Sequence, residues 1–180
     1  MRGSRQLMRV LGMRLWDATP LTRRIKLWGY AKLLGLKHKV SIHSHVMIYP
    51  HHILPLPAIC NNSEATGVVI GEGCKFEDNV NLDTSGGVII GNNVRFNVDV
   101  LIYTHNHNKH QNPSLPVSEI TTHVLRIDDG AVIGARSIIL ASCHHIGKNV
   151  RIGAGAVVTK DIPDNAVAVG VPARVIKYLA

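Results

Sequence analysis

Aliphatic residues recur every six positions along most of this chain, and that period restricts the fold more than any other feature. Ile70, Phe76 and Leu82 form one series, and Ile90, Phe96 and Ile102 a second. Ile127, Ile133 and Ile139 form a third, followed by Ile146, Ile152 and Val158, while Ile42 and Ile48 open the pattern upstream. Six matches neither the period of roughly 3.6 of an amphipathic helix nor the simple alternation of a strand. It is the period of a β-helix built from hexapeptides. Each hexapeptide gives one short strand and one tight corner, three close a triangular coil, and the aliphatic residue points into the prism. One coil cannot cover its own faces, so stability comes from stacking.

The residues between the aliphatic positions agree. Gly follows the aliphatic residue in Ile70-Gly71, Ile90-Gly91, Ile133-Gly134, Ile146-Gly147 and Ile152-Gly153. Without a Cβ, it permits a close corner. Asn92-Asn93, Asn149 and Asp78-Asn79 suit the left-handed backbone that such corners require. Only 4% of residues are aromatic against 46% hydrophobic overall. Val, Ile, Leu and Ala must therefore fill the core, as a thin regular prism demands. A chain of 180 residues with 18% charge is one globular domain, not a disordered segment.

The expected organisation is a basic helical segment over residues 1–39 and an all-β helix domain over 40–180, with an excursion loop at 105–126. Leu7, Val10, Leu11 and Leu15 recur at helical spacing, and Thr19-Pro20 reads as the start of a second helix. Residues 1–39 carry ten Lys or Arg against the single acid Asp17, whereas 40–180 carry ten against eleven acids. The net charge of +8 thus belongs to the arm. Such an arm suits a solvated helix face or a peripheral contact with an anionic membrane. Nothing resembles an aromatic-basic nucleic-acid motif, and no nucleic-acid partner is expected. Cys60, Cys74 and Cys143 offer no paired spacing, which fits a reducing cytoplasm. No signal peptide and no membrane-length apolar run is expected.

Three breaks interrupt the period. Residues 49–66 contain Pro50, Pro55 and Pro57 and no repeat. Leu82 to Ile90 is eight residues instead of six, which predicts a bulge at Asp83-Thr84-Ser85-Gly86-Gly87. Residues 105–126 leave the repeat with His105, His107, His110 and His123, and a long loop on a rigid scaffold is commonly functional.

The stretch Ile152-Gly-Ala-Gly-Ala-Val-Val-Thr-Lys-Asp-Ile-Pro163, followed by Val169-Gly-Val-Pro-Ala-Arg-Val-Ile-Lys177, resembles the ending of the maltose/galactoside O-acetyltransferases. These belong to the wider hexapeptide-repeat acyltransferases, which include polysaccharide O-acetyltransferases. The resemblance implies a left-handed parallel β-helix, a homotrimer, and acetyl-CoA in a groove between subunits. It implies transfer of an acetyl group to a sugar or glycan hydroxyl without a covalent intermediate. It places the catalytic histidine at His107, with His105 as the rival. The CoA-contacting positions fall on Ala135, Ala154, Thr159, Lys160, Arg174 and Lys177, and the acceptor-contacting ones on Asn81 and Asp83, with His105 also on the substrate side.

These residue types suit the chemistry. An alcohol attacks a thioester poorly until a base removes its proton, and histidine titrates near working pH. A carboxylate such as Asp83 can orient the imidazole or the acceptor. Two departures from the family stand out: Val132 where Trp is usual, and a seven-residue step at Ile139-Leu-Ala-Ser-Cys-His-His145. Two other readings fit parts of the chain. One is a zinc enzyme resembling γ-class carbonic anhydrases, drawing on His105, His110 and His144 or His145; the acyltransferase reading expects no metal. The other is a non-catalytic scaffold using the basic arm.

Overall fold

The structure, a computed structural model, describes residues 41–42, 47–49, 68–108 and 119–180. The expected helices of the basic arm, the proline-rich stretch from residue 50 with Cys60, and His110 lie outside the described residues. Among those described, all regular structure is β, and no helix is long and apolar enough to cross a membrane.

The strands stack into three parallel faces of a prism. The first face holds Val68–Ile70, Val88–Ile90, Leu125–Ile127 and His145–Ile146. The second holds Ser41–Ile42, Lys75–Phe76, Arg95–Phe96, Val132–Ile133, Arg151–Ile152 and Ala166–Val169. The third holds Met47–Tyr49, Asn81–Asp83, Leu101–Ile102, Ile138–Ile139 and Val157–Val158. The chain visits first, second and third face in turn, so each circuit adds one strand to every sheet. Arg174–Tyr178 then folds back antiparallel on Ala166–Val169 and closes the second face.

The register confirms the period residue by residue. Ile70, Ile90, Ile127 and Ile146 are partners on the first face. Phe76, Phe96, Ile133 and Ile152 are partners on the second, and Leu82, Ile102, Ile139 and Val158 on the third. All but Ile70 are buried, and Ile70 packs against the core they form. The few aromatics are used economically: Phe76 and Phe96 stack in successive coils with centroids 4.6 Å apart.

The glycines after the aliphatic positions answer to stacking, not to backbone twist. A Cβ at Gly134 would lie 2.5 Å from the Ile152 carbonyl oxygen and 2.6 Å from the Ala154 nitrogen, both backbone atoms of the next coil. The left-handed residues fall two positions later. Asn79, Asn93, Asp99, Asn149 and Asn165 have φ between 55° and 60°, as expected of short polar side chains. Arg136, at φ 58°, is the exception.

Every interruption of the period falls on one edge of the prism. Steps from first to second face, such as Ile90 to Phe96, and from second to third, such as Ile133 to Ile139, are all six residues. Steps from third to first face are eight (Leu82 to Ile90), twenty-five (Ile102 to Ile127), seven (Ile139 to Ile146) and four (Val158 to Ile162). The bulge predicted after Leu82 closes with Gly87 N–H donating to the Thr84 carbonyl at 3.0 Å. The excursion is shorter than expected, because Leu125–Ile127 already belongs to the first face. Its base is a two-stranded antiparallel hairpin, His105–Asn108 against Glu119–Thr122.

Candidate active site

The irregular edge gathers the chemistry. Asp83 ends a third-face strand and begins the eight-residue step, so its side chain emerges at the edge and not inside the prism. The excursion leaves the next coil immediately above it. That brings Thr104 and His105 over the Asp83 carboxylate.

The carboxylate is saturated. Oδ2 accepts from the Thr104 backbone N–H at 2.8 Å and the Thr104 hydroxyl at 3.0 Å, and lies 2.7 Å from His105 Nδ1. Oδ1 accepts from the Ser85 N–H at 3.0 Å and the Ser85 hydroxyl at 2.5 Å. Burial alone would raise the pKa of this carboxyl. The bonds from Ser85, Thr104 and His105 outweigh it and hold the pKa at about 2. Asp83 is therefore an anion at any working pH. Facing it, a neutral His105 carries its proton on Nδ1 and its lone pair on Nε2. The His105 side chain remains 23% exposed, against 8% for Asp83.

His107, two residues along the same strand, shares a side with His105. The rings meet edge to face with centroids 5.1 Å apart, and His107 is exposed. The bulge and the first excursion residues thus bring Asp83, His105 and His107 together, with Asn81 two residues before Asp83 on its strand.

The remaining candidates separate. Thr159 follows Val158 as Asp83 follows Leu82, in the same column of the third face. Three coil spacings put it about 14 Å along the irregular edge, with exposed Lys160 next to it. Ala135 and Ala154 lie on the edge between second and third faces, in successive coils joined by Gly155 N–H to the Ala135 carbonyl at 2.8 Å. Arg174 and Lys177 are exposed on the closing antiparallel strand. No single edge of one chain unites all six.

Sequence reasoning missed three groups. Thr104, 1% exposed, and Ser85 hold the carboxylate, yet isolated hydroxyl residues carry no signal of that role. The seven-residue step places His144 against His123 from the hairpin, with rings stacked at 4.4 Å. One residue on, His145 Nε2 lies 2.9 Å from Asp128. The backbone N–H groups of His144 and His145 both donate to Asp161, at 2.7 and 2.9 Å, which absorbs the extra residue of that step.

The described cysteines, Cys74 and Cys143, are both buried. Burial pushes the Cys143 thiol up to about 12, with Asp161 adding to the shift, and burial raises Cys74 as well. Among the described residues no three His, Cys, Asp or Glu side chains are grouped to hold a metal ion.

Comparison with known proteins agrees with this architecture. Residues 124–160 match the family model described as the hexapeptide repeat of succinyl-transferase. The galactoside O-acetyltransferase of Lactococcus lactis subsp. lactis (strain IL1403) is 35% identical over 119 residues, 66% of this chain and 56% of that protein. The serine acetyltransferase of Buchnera aphidicola subsp. Acyrthosiphon pisum (strain APS) is 29% identical over 157 residues, 86% of this chain and 47% of that one. This chain thus spans about half the length of these curated relatives. The crystal structure of a maltose O-acetyltransferase from Clostridium difficile 630 superposes with a TM-score of 0.62 at 31% identity, covering 93% of this chain and 82% of that one. With the six-residue register and this likeness over nearly its whole length, the chain belongs to the hexapeptide-repeat acyltransferase family.

Proposed function

We propose that this protein transfers an acetyl group from acetyl-CoA to a hydroxyl of a sugar or glycan, with a histidine of the irregular edge as general base. The observation that carries the proposal is the 2.7 Å approach of His105 Nδ1 to a carboxylate held at a pKa of about 2. Asp83 fixes the ring's tautomer and steadies the imidazolium formed during reaction. His105 Nε2 takes the acceptor's hydroxyl proton as its oxygen attacks the thioester carbonyl. The tetrahedral intermediate then expels the thiolate of CoA, which recovers the proton, leaving an O-acetyl ester and free thiol. General base catalysis of this kind contributes on the order of 10²–10⁴-fold. No enzyme nucleophile is needed.

The acetyl donor and the acceptor class rest on the relatives. Galactoside and maltose O-acetyltransferases favour a sugar, while the serine acetyltransferase likeness makes an amino-acid hydroxyl the competing acceptor. Thr159 and Lys160 lie along the edge of His105, at a distance that the pantetheine arm of CoA spans. Ala135 and Ala154 lie on the other edge of the same face. A cleft between two copies, each giving a different edge, would reunite them, which supports a left-handed prism assembled as a homotrimer. Sedimentation at the mass of a single chain would remove that assembly.

His107 is the second reading, supported by the resemblance and by its edge contact with His105. One assay separates the two. Thiol release from acetyl-CoA is followed over a panel of sugars and serine, comparing His105→Ala with His107→Ala. The expected result is loss of turnover in the first and a smaller change in the second. The reverse would hand the base to His107, and no thiol release with any acceptor would overturn the enzyme reading.

A further inference from the structure

One buried residue ties together every part of this edge. Thr104 is 1% exposed, and all five of its polar contacts lead to the site, the longest being from its hydroxyl to the Asp83 carbonyl at 3.3 Å. Its N–H and its hydroxyl both meet Asp83 Oδ2, at 2.8 and 3.0 Å. Its hydroxyl oxygen accepts the Gly86 N–H of the bulge at 2.9 Å. Its carbonyl accepts the His123 N–H, where the hairpin returns, at 2.9 Å. A hydroxyl that accepts one bond while donating another has a fixed direction. It therefore sets where Oδ2 points, and with it which ring nitrogen of the adjacent His105 meets the carboxylate.

We propose that Thr104 is a positioning residue: its hydroxyl clamps Asp83 Oδ2 between the bulge and the base of the excursion, so that the carboxylate engages His105 only through Nδ1. Ser85 cannot do this, because it holds Oδ1, the oxygen turned away from the ring. The Thr104 N–H gives Oδ2 one donor, and the hydroxyl adds the second that matches the two Ser85 gives Oδ1. The inference rests on reading His105 as the base, but its primary readout does not depend on activity.

The test compares Thr104→Val, which keeps the shape and loses the hydroxyl, with Thr104→Ser, which keeps the hydroxyl. Nitrogen-15 NMR of the ring reports which nitrogen of His105 carries the proton. The expected outcome is Nδ1–H alone in the wild type and in Thr104→Ser, and a mixture with Nε2–H in Thr104→Val. In the acetyl-transfer assay, Thr104→Val should lose about tenfold in kcat, the worth of one hydrogen bond to a charged group, with KM for acetyl-CoA within about twofold. An unchanged tautomer in Thr104→Val, or Thr104→Ser as altered as Thr104→Val, would overturn the clamp. If Thr104→Val does not fold, Thr104→Cys, with a similar volume and a much weaker donor, takes its place under the same criteria. Should His105→Ala retain turnover, the base assignment fails while the tautomer result still decides the clamp.

Discussion

The edge between first and second faces and the edge between third and first faces belong to the same prism and share its core, yet they are built on opposite principles. On the first, every step is six residues and the same small set of side chains repeats. Asn92 Oδ1 accepts the Glu72 N–H at 2.9 Å, Asp129 Oδ1 the Asn92 N–H at 2.6 Å, and Asp164 Oδ1 the Lys148 N–H at 2.8 Å. Asn149 and Asn165 join side chain to side chain at 3.1 Å. At three of the four steps the upper coil thus satisfies a backbone donor of the coil below, and corner donors that would otherwise face only water become part of the stack. On the other edge no two steps have the same length, and the carboxylate, the hydroxyls and the histidines gather there. Stacking against a neighbour on either side demands uniformity. Freedom to vary is available at one edge only while the other two hold the register.

That contrast can be tested. The largest effect is expected from Asp83→Asn on the irregular edge: kcat should fall on the order of 10³-fold, because an amide can hold the wrong tautomer of His105, while the melting temperature falls only by the few degrees that about 1–2 kcal/mol is worth. A large loss of stability with retained specific activity would contradict the division of labour. On a regular edge, Gly134→Ala should do the converse. The new Cβ meets two backbone atoms of the next coil, so unfolding in urea should show a loss of about 2–3 kcal/mol, with activity per folded molecule preserved.

Acid titration sharpens the comparison further. Asp83 has its pKa lowered to about 2 in the fold, against roughly 3.9 in the unfolded chain. Its contribution is therefore complete above about pH 5 and fades as pH falls through 4 toward 2. On the order of 1–2 kcal/mol should be lost there, after allowance for screening by solvent. Urea midpoints of the wild type should fall toward those of Asp83→Asn over that window, and a constant gap between them would count against the saturated carboxylate. The smallest effect concerns Arg136. Its left-handed backbone and its 3.4 Å contact with Asp99 lie on the surface, with the arginine side chain 81% exposed. Arg136→Gly should stabilise by about 1 kcal/mol, since strain of that order outweighs one exposed ion pair.

Much of this was legible in the residues. The positions of the inward aliphatic groups, the Asn corners and the bulge after Leu82 are local facts of spacing, because each strand must enter and leave the prism at fixed points. Three of the candidate residues, Asp83, His105 and His107, stand next to one another. Which of the two imidazoles meets the carboxylate was not legible. The family resemblance points to His107 as the catalytic histidine, whereas the ring that the structure sets on Asp83 is that of His105, because the bulge and the start of the excursion each shift the backbone by residues that no regular count includes. Thr104 was invisible for the same reason.

The sequence by itself determined the prism, since a six-residue period leaves an aliphatic chain no other way to bury every sixth side chain. It also determined which corners are rigid, through Asn, Asp and Gly at set intervals. Only the tertiary structure decided that all the irregular steps share one edge and that Asp83, Thr104 and His105, up to 22 residues apart in the chain, close on one another there. The physical reason is that a coil brings together residues one circuit apart, and the length of that circuit is fixed only when the strands above and below have paired.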